Sequence, residues 1–156
     1  MTCILRTILV VIPFLISLPT HTFANPEVKA TLSILTDFDQ AKALSKKENK
    51  PVFLEFMSSS CGHCQAFKKN VISNPAFIAY ANKNLITVIH DYQDLEQLPA
   101  DEKKKRVELM EKLKISGFPT ILLISDKGKI LLRKSGYNDT PADKIIKALE
   151  KAASSK

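Results

Sequence analysis

Hydrophobic positions along this chain fall into two repeating patterns, short unbroken apolar runs and apolar residues at helical spacing. The run VFLEFM (52–57), broken by one acid only, has the pattern of a strand buried on both faces. LITVIH (85–90) reads as a second strand, and TILLIS (120–125) and KILLRK (129–134) as a hairpin about the turn Asp126-Lys127-Gly128. TLSIL (31–35) reads as a short strand or an extended lead-in. Helical spacing predicts a helix over 37–47, with Phe38, Ala41 and Leu44 on one face, ended by Asn49-Lys50-Pro51. Cys64, Phe67 and Val71 recur at the same spacing, Pro75 suits the first turn of a further helix, and Val107, Met110 and Leu113 mark the inward face of a lysine-rich one. Thr140-Pro141-Ala142-Asp143 resembles a capping box opening a last helix, with Ile145, Ile146 and Leu149 inward. Strands alternating with helices, then a hairpin, imply an α/β fold: a central mixed β-sheet flanked by helices, its crossover strands parallel and its hairpin antiparallel.

The first 24 residues stand apart. Arg6 is their only charge, a short apolar run follows (7–18), and Thr22-Phe23-Ala24 places small residues where a signal peptidase cuts. The run is too short for a bilayer core of roughly 30 Å and holds a proline. The expected organisation is a signal peptide (1–24) cleaved after Ala24, an N-terminal lead-in (25–35) and one domain (36–156), giving a periplasmic or secreted protein without a permanent membrane span. A total of 156 residues with 45% hydrophobic content is enough for one core. The net charge of +7 comes largely from lysines on predicted helices, without the interleaved aromatics of a single-strand binder, so nucleic acid is not an expected partner.

The cut leaves two of three cysteines, Cys61 and Cys64, in SSSCGHCQAF. A bond between them encloses too short a loop to act as a staple, so its value lies in chemistry. Gln65 after the second cysteine excludes haem attachment, and His63 and His90 are too few to complete a structural zinc site. Copper, content with fewer and softer ligands, stays open as an alternative on the same cysteines. Redox exchange fits the placement at a strand-to-helix junction. A helix N-terminus stabilises a thiolate, which makes Cys61 the nucleophile and the more interior Cys64 the resolving thiol, with His63 adding positive character beside the thiolate. Glu55, the one acid of its strand, is expected to be buried with a raised pKa.

VFLEFMSSSCGHCQAF resembles the active-site segment of the thioredoxin superfamily, and CGHC is the choice of protein disulfide isomerases. SGFPT (116–120) is similar to the superfamily loop that carries a cis-proline against the cysteines. The resemblance implies a thioredoxin-like fold, a redox-active Cys61–Cys64 disulfide, a cis-proline at Pro119, and a Phe118 backbone able to pair with an extended substrate. It also implies a proton relay at Glu55, where the family keeps a buried acid, and no cofactor beyond the dithiol. Two departures are visible: Ser60 stands where the family often has tryptophan, a residue this chain lacks, and the segment between Cys64 and Pro119 is longer than in a plain thioredoxin. The second, with KNVISNPAF, is more similar to the C-terminal domain of DsbD-type reductases. The expected activity is thiol–disulfide exchange with exported proteins, in a reducing or isomerising direction rather than an oxidising one, with a membrane electron donor of the DsbD type as a further partner.

Overall fold

The six residues of VFLEFM have no polar face to give to water, and the sheet grows outward from them. The structure, a computed structural model, describes residues 30–155; the expected signal peptide lies outside these. Five strands, β1 (Ile34–Leu35), β2 (Val52–Met57), β3 (Ile86–Asp91), β4 (Thr120–Ile124) and β5 (Ile130–Ser135), form one sheet in the order β1-β3-β2-β4-β5. β2 is central and every one of its residues is buried. It pairs parallel with β3 and antiparallel with β4, and β4 pairs antiparallel with β5. Of the expected strand at 31–35 only Ile34 and Leu35 pair, parallel to Thr87 and Val88.

Five helices cover the sheet: α1 (Phe38–Glu48), α2 (Gly62–Phe67), α3 (Pro75–Asn84), α4 (Ala100–Lys112) and α5 (Ala142–Ser154). Side-chain alternation along β2 sends Phe53 into a core with Phe67, Phe77, Ile121 and Leu149, contributed by α2, α3, β4 and α5. Val52, Leu54 and Phe56 point the other way, against Ala41 of α1 and Leu109, Met110 and Leu113 at α4. Edge-to-face ring pairs, Phe53 with Phe77 (5.6 Å) and Phe67 with Tyr137 (5.2 Å), fix the first core.

Local chemistry explains the start of several helices. The Asp37 carboxylate accepts from the backbone N–H groups of Asp39 and Gln40 (2.7 and 3.0 Å), which holds its pKa below the ordinary value. Asn74 caps α3 by accepting from Ala76 N–H, with Pro75 in the first turn. After Phe67 the chain widens into a π-helical turn (Lys68–Ile72) that buries both Val71 and Ile72. Two expectations need correction. The capping box does not form: the Thr140 hydroxyl donates to Asn138 Oδ1 (2.6 Å), and the Pro141 carbonyl accepts from Lys144 and Ile145 instead. On α4 the inward positions are Arg106, Leu109 and Met110, followed by Leu113, while Val107 packs in neither core. Among the described residues no helix is long and apolar enough to cross a membrane.

Candidate active site

The sheet brings three chain segments to one end. The register sets Met57 opposite Asp91 on β3 and Phe56 opposite Thr120 on β4. The chain leaving β2, the chain leaving β3 and the chain entering β4 therefore meet at the C-terminal end of the parallel strands, where open α/β sheets place their sites. A turn closed by Cys61 N–H to the Ser58 carbonyl (3.0 Å) sets Cys61 at the N-cap of α2 in extended conformation.

Cys61 is half-buried and Cys64, one turn into the helix, is fully buried; both are unbridged thiols. Cys64 N–H donates to Cys61 Sγ (3.4 Å), the capping bond that would also support a thiolate there. From the opposite side the Cys61 S–H donates to the Phe118 carbonyl (3.7 Å). The Phe118–Pro119 peptide is cis. Burial pushes the Cys64 thiol up to about 12, and the hydrogen bond with Cys61 and the charge of Glu55 push the same way. At neutral pH, then, Cys64 keeps its proton until a base removes it.

Glu55 sits on the Cys64 side of β2, fully buried, with no hydrogen-bond partner for either carboxylate oxygen. Burial raises its pKa to about 8; Lys68 opposes this shift and Asp91 adds to it. A carboxyl that changes protonation near neutrality beside a buried thiol is equipped to pass a proton. His63 lies on the exposed face of α2. Half-buried Cys61 thus meets the Phe118 carbonyl, beside the cis-Pro119 bond, with Cys64 and Glu55 buried behind them, while His63 stays exposed on α2.

Sequence reasoning missed the frame around this surface. Asp91 Oδ1 accepts from Ser59 N–H (3.0 Å) and Gln93 N–H (2.9 Å), tying the loop before Cys61 to the end of β3. Tyr92 stacks on Phe118 (5.5 Å between centroids, 25° between planes), and its hydroxyl donates to the Arg106 carbonyl (3.0 Å). An acid closing an apolar strand was a readable signal for Asp91; nothing in the sequence joins residue 92 to residue 118.

A groove of about 760 Å³ opens elsewhere, between α1 and α4, and neither cysteine lines it. Its walls include His90, whose Nε2–H donates to the Thr36 carbonyl (2.9 Å), and Arg106, paired with Glu102 (2.8 Å). Burial and the Arg106 charge lower the His90 pKa to about 4. Among the described residues no three or more His, Cys, Asp or Glu side chains are grouped so as to hold a metal ion.

Comparison with known proteins agrees with this geometry. The chain is 29% identical over 97 residues to the disulfide bond reductase DsbH of Chlamydia pneumoniae, covering 62% of this chain and 58% of the relative. It is 26% identical over 98 residues to the thiol:disulfide interchange protein DsbD of Photorhabdus laumondii, covering 62% and 16%. The chain therefore spans less than two thirds of the length of these curated relatives. A solved structure of a DsbH oxidoreductase superposes with a TM-score of 0.75 at 24% identity, covering 85% of this chain and 91% of that one. The family of thioredoxin-like domains matches residues 38–153. The chain belongs to the thioredoxin-like domain family.

Proposed function

We propose that this protein exchanges disulfides with exported proteins, in the reducing or isomerising direction, in the periplasm or outside the cell after cleavage behind Ala24. The observation that carries this reading is the stacking of roles in depth: half-exposed Cys61, buried Cys64, and buried Glu55 below. The Cys61 thiolate attacks one sulfur of a substrate disulfide. The substrate S–S bond breaks, its second sulfur leaves as a thiolate and takes a proton, and a mixed disulfide forms at Cys61. Glu55, as carboxylate, accepts the proton of Cys64. The Cys64 thiolate then attacks Cys61 Sγ, releases the second substrate thiol and closes the Cys61–Cys64 disulfide, so two electrons have passed to the substrate.

Phe118 offers the backbone edge along which an extended substrate can lie during these steps. His63 adds positive character near the Cys61 thiolate. Restoring the dithiol requires a dithiol donor, and the likeness to a thiol:disulfide interchange protein supports a membrane donor of that type. The domain begins near residue 36, and no cofactor beyond the cysteines enters any step.

The test is the reduction potential of the Cys61–Cys64 pair in glutathione buffers. A value near about −270 mV supports an electron donor, and one near about −180 mV a reshuffling role. A value near about −120 mV would overturn the proposed direction in favour of an oxidase. Cys64→Ser, which cannot resolve, is expected to accumulate mixed disulfides with exported proteins on non-reducing gels.

A further inference from the structure

Cys61 stands between two unlike rims. One is polar and already paired with itself. The hydroxyls of Ser58 and Ser60 share a hydrogen bond (2.8 Å), Ser58 donates to Gln93 Oε1 (3.2 Å), and Gln65 Nε2 donates to the Ser59 carbonyl (2.8 Å). Asp91 locks the same loop from below. The other rim is aromatic. Phe118, half-buried, stacks on Tyr92, and Tyr92 stacks on the fully buried Phe56 (5.9 Å, 26°). The Tyr92 hydroxyl, bonded to the Arg106 carbonyl, anchors the middle ring to α4.

We propose that the Tyr92–Phe118 stack is the seat for an apolar side chain flanking the substrate cysteine, with Tyr92 the positioning residue that holds Phe118 in place. The inference rests on disulfide exchange at Cys61 and names its substrate class: disulfides whose cysteine has an aliphatic or aromatic neighbour. Three observations carry it. The Phe118 carbonyl lies against Cys61 Sγ, so a segment docked there brings its flanking side chain beside the ring. The stack runs back into the core, so Phe118 is ordered before substrate arrives and little freedom is lost on docking. Hydrogen-bonding groups on the polar rim are engaged with one another, which leaves the rings as the surface with most to gain from contact. No tryptophan is present to supply an apolar surface instead.

The experiment uses the reduced protein and two peptides that carry the same intramolecular disulfide and differ only in the residue beside one cysteine, leucine or serine. Wild type is expected to prefer the leucine peptide by about fivefold in kcat/KM, the difference lying in KM. Tyr92→Ala is expected to bring that ratio below about twofold, and Tyr92→Phe, which keeps the ring, to retain most of it. A purely structural role for Tyr92 would depress both peptides alike and leave the ratio standing, which overturns the proposal. Equal KM values for the two peptides in wild type overturn it as well. Tyr92→Leu, filling the same space without a ring, replaces Tyr92→Ala should that variant fail to fold. Hydroxyethyl disulfide, which has no flanking residue, separates the two levels: if wild type cannot reduce even this, exchange at Cys61 is wrong and the seat falls with it.

Discussion

Glu55 is the residue at which stability and the proposed chemistry oppose each other. A carboxyl with a pKa near 8 in the folded protein and about 4.5 unfolded binds its proton more tightly when folded. Its contribution is therefore full below the unfolded value and is lost as pH rises through the folded one. His90 acts in the opposite sense: the fold favours the neutral ring, so its contribution is present above the unfolded value of 6.5 and is lost as pH falls toward about 4. Between pH 6.5 and about 8 the decline in stability with pH belongs to Glu55. Glu55→Gln is expected to flatten that decline in urea titrations between pH 6.5 and 8.5 and to gain about 3 kcal/mol at pH 8. The same substitution is expected to slow release of the mixed disulfide at least tenfold, because no carboxylate remains to take the Cys64 proton. A variant that grows more stable and less active separates Glu55 from residues kept for packing. A neutral effect on both would show that the carboxyl is solvated and outside the proton path.

At the scale of elements, what the sequence announced and what it hid differ by where the stabilising partner lies. β2 was legible because six buried positions in a row admit no other strand face. α1 was legible from its apolar stripe alone; its cap, Asp37, went unread although its acceptor reaches only two and three residues onward. β1 was readable only as a short strand or an extended lead-in, since its two residues become a strand solely by pairing with β3, some fifty positions away. The start of α5 was misread because Thr140 has a nearer partner in Asn138 than the helix it precedes. The contrast is measurable. Asp37→Ala is expected to cost about 1 kcal/mol in denaturant unfolding at neutral pH, and to cost progressively less as acid protonates the carboxylate in the parent protein. Thr140→Ala is expected to cost less than half as much, since no helix cap is lost. Equal costs would restore the capping box.

Over the whole molecule, the cysteine pair was legible because CGHC is contiguous, and Phe118 through the resemblance of its loop, whereas Asp91 and Tyr92 were not, because they meet that pair and that loop only through the β3-β2-β4 register. The two long sides of the sheet complete the picture. On one side β1 offers two paired residues, with Ile34 44% exposed; on the other β5 carries Arg133 and Lys134, and the Arg133 guanidinium is turned back onto the Leu113 carbonyl (2.7 Å). Shortness and cationic charge are the usual protections of an unpaired strand edge. Arg133→Val with Lys134→Val is expected to leave the chain folded and to produce association beyond that of the parent that grows with concentration in light scattering; a variant that associates no more than the parent at millimolar concentration would mean that the β5 edge needs no charge. If substrate docks in extended form as proposed, the protein runs the hazard of polymerising along its own sheet. Here both flanks discourage such growth, which leaves the loop beside the cysteines as the place where the proposed docking of a visiting strand can occur without it.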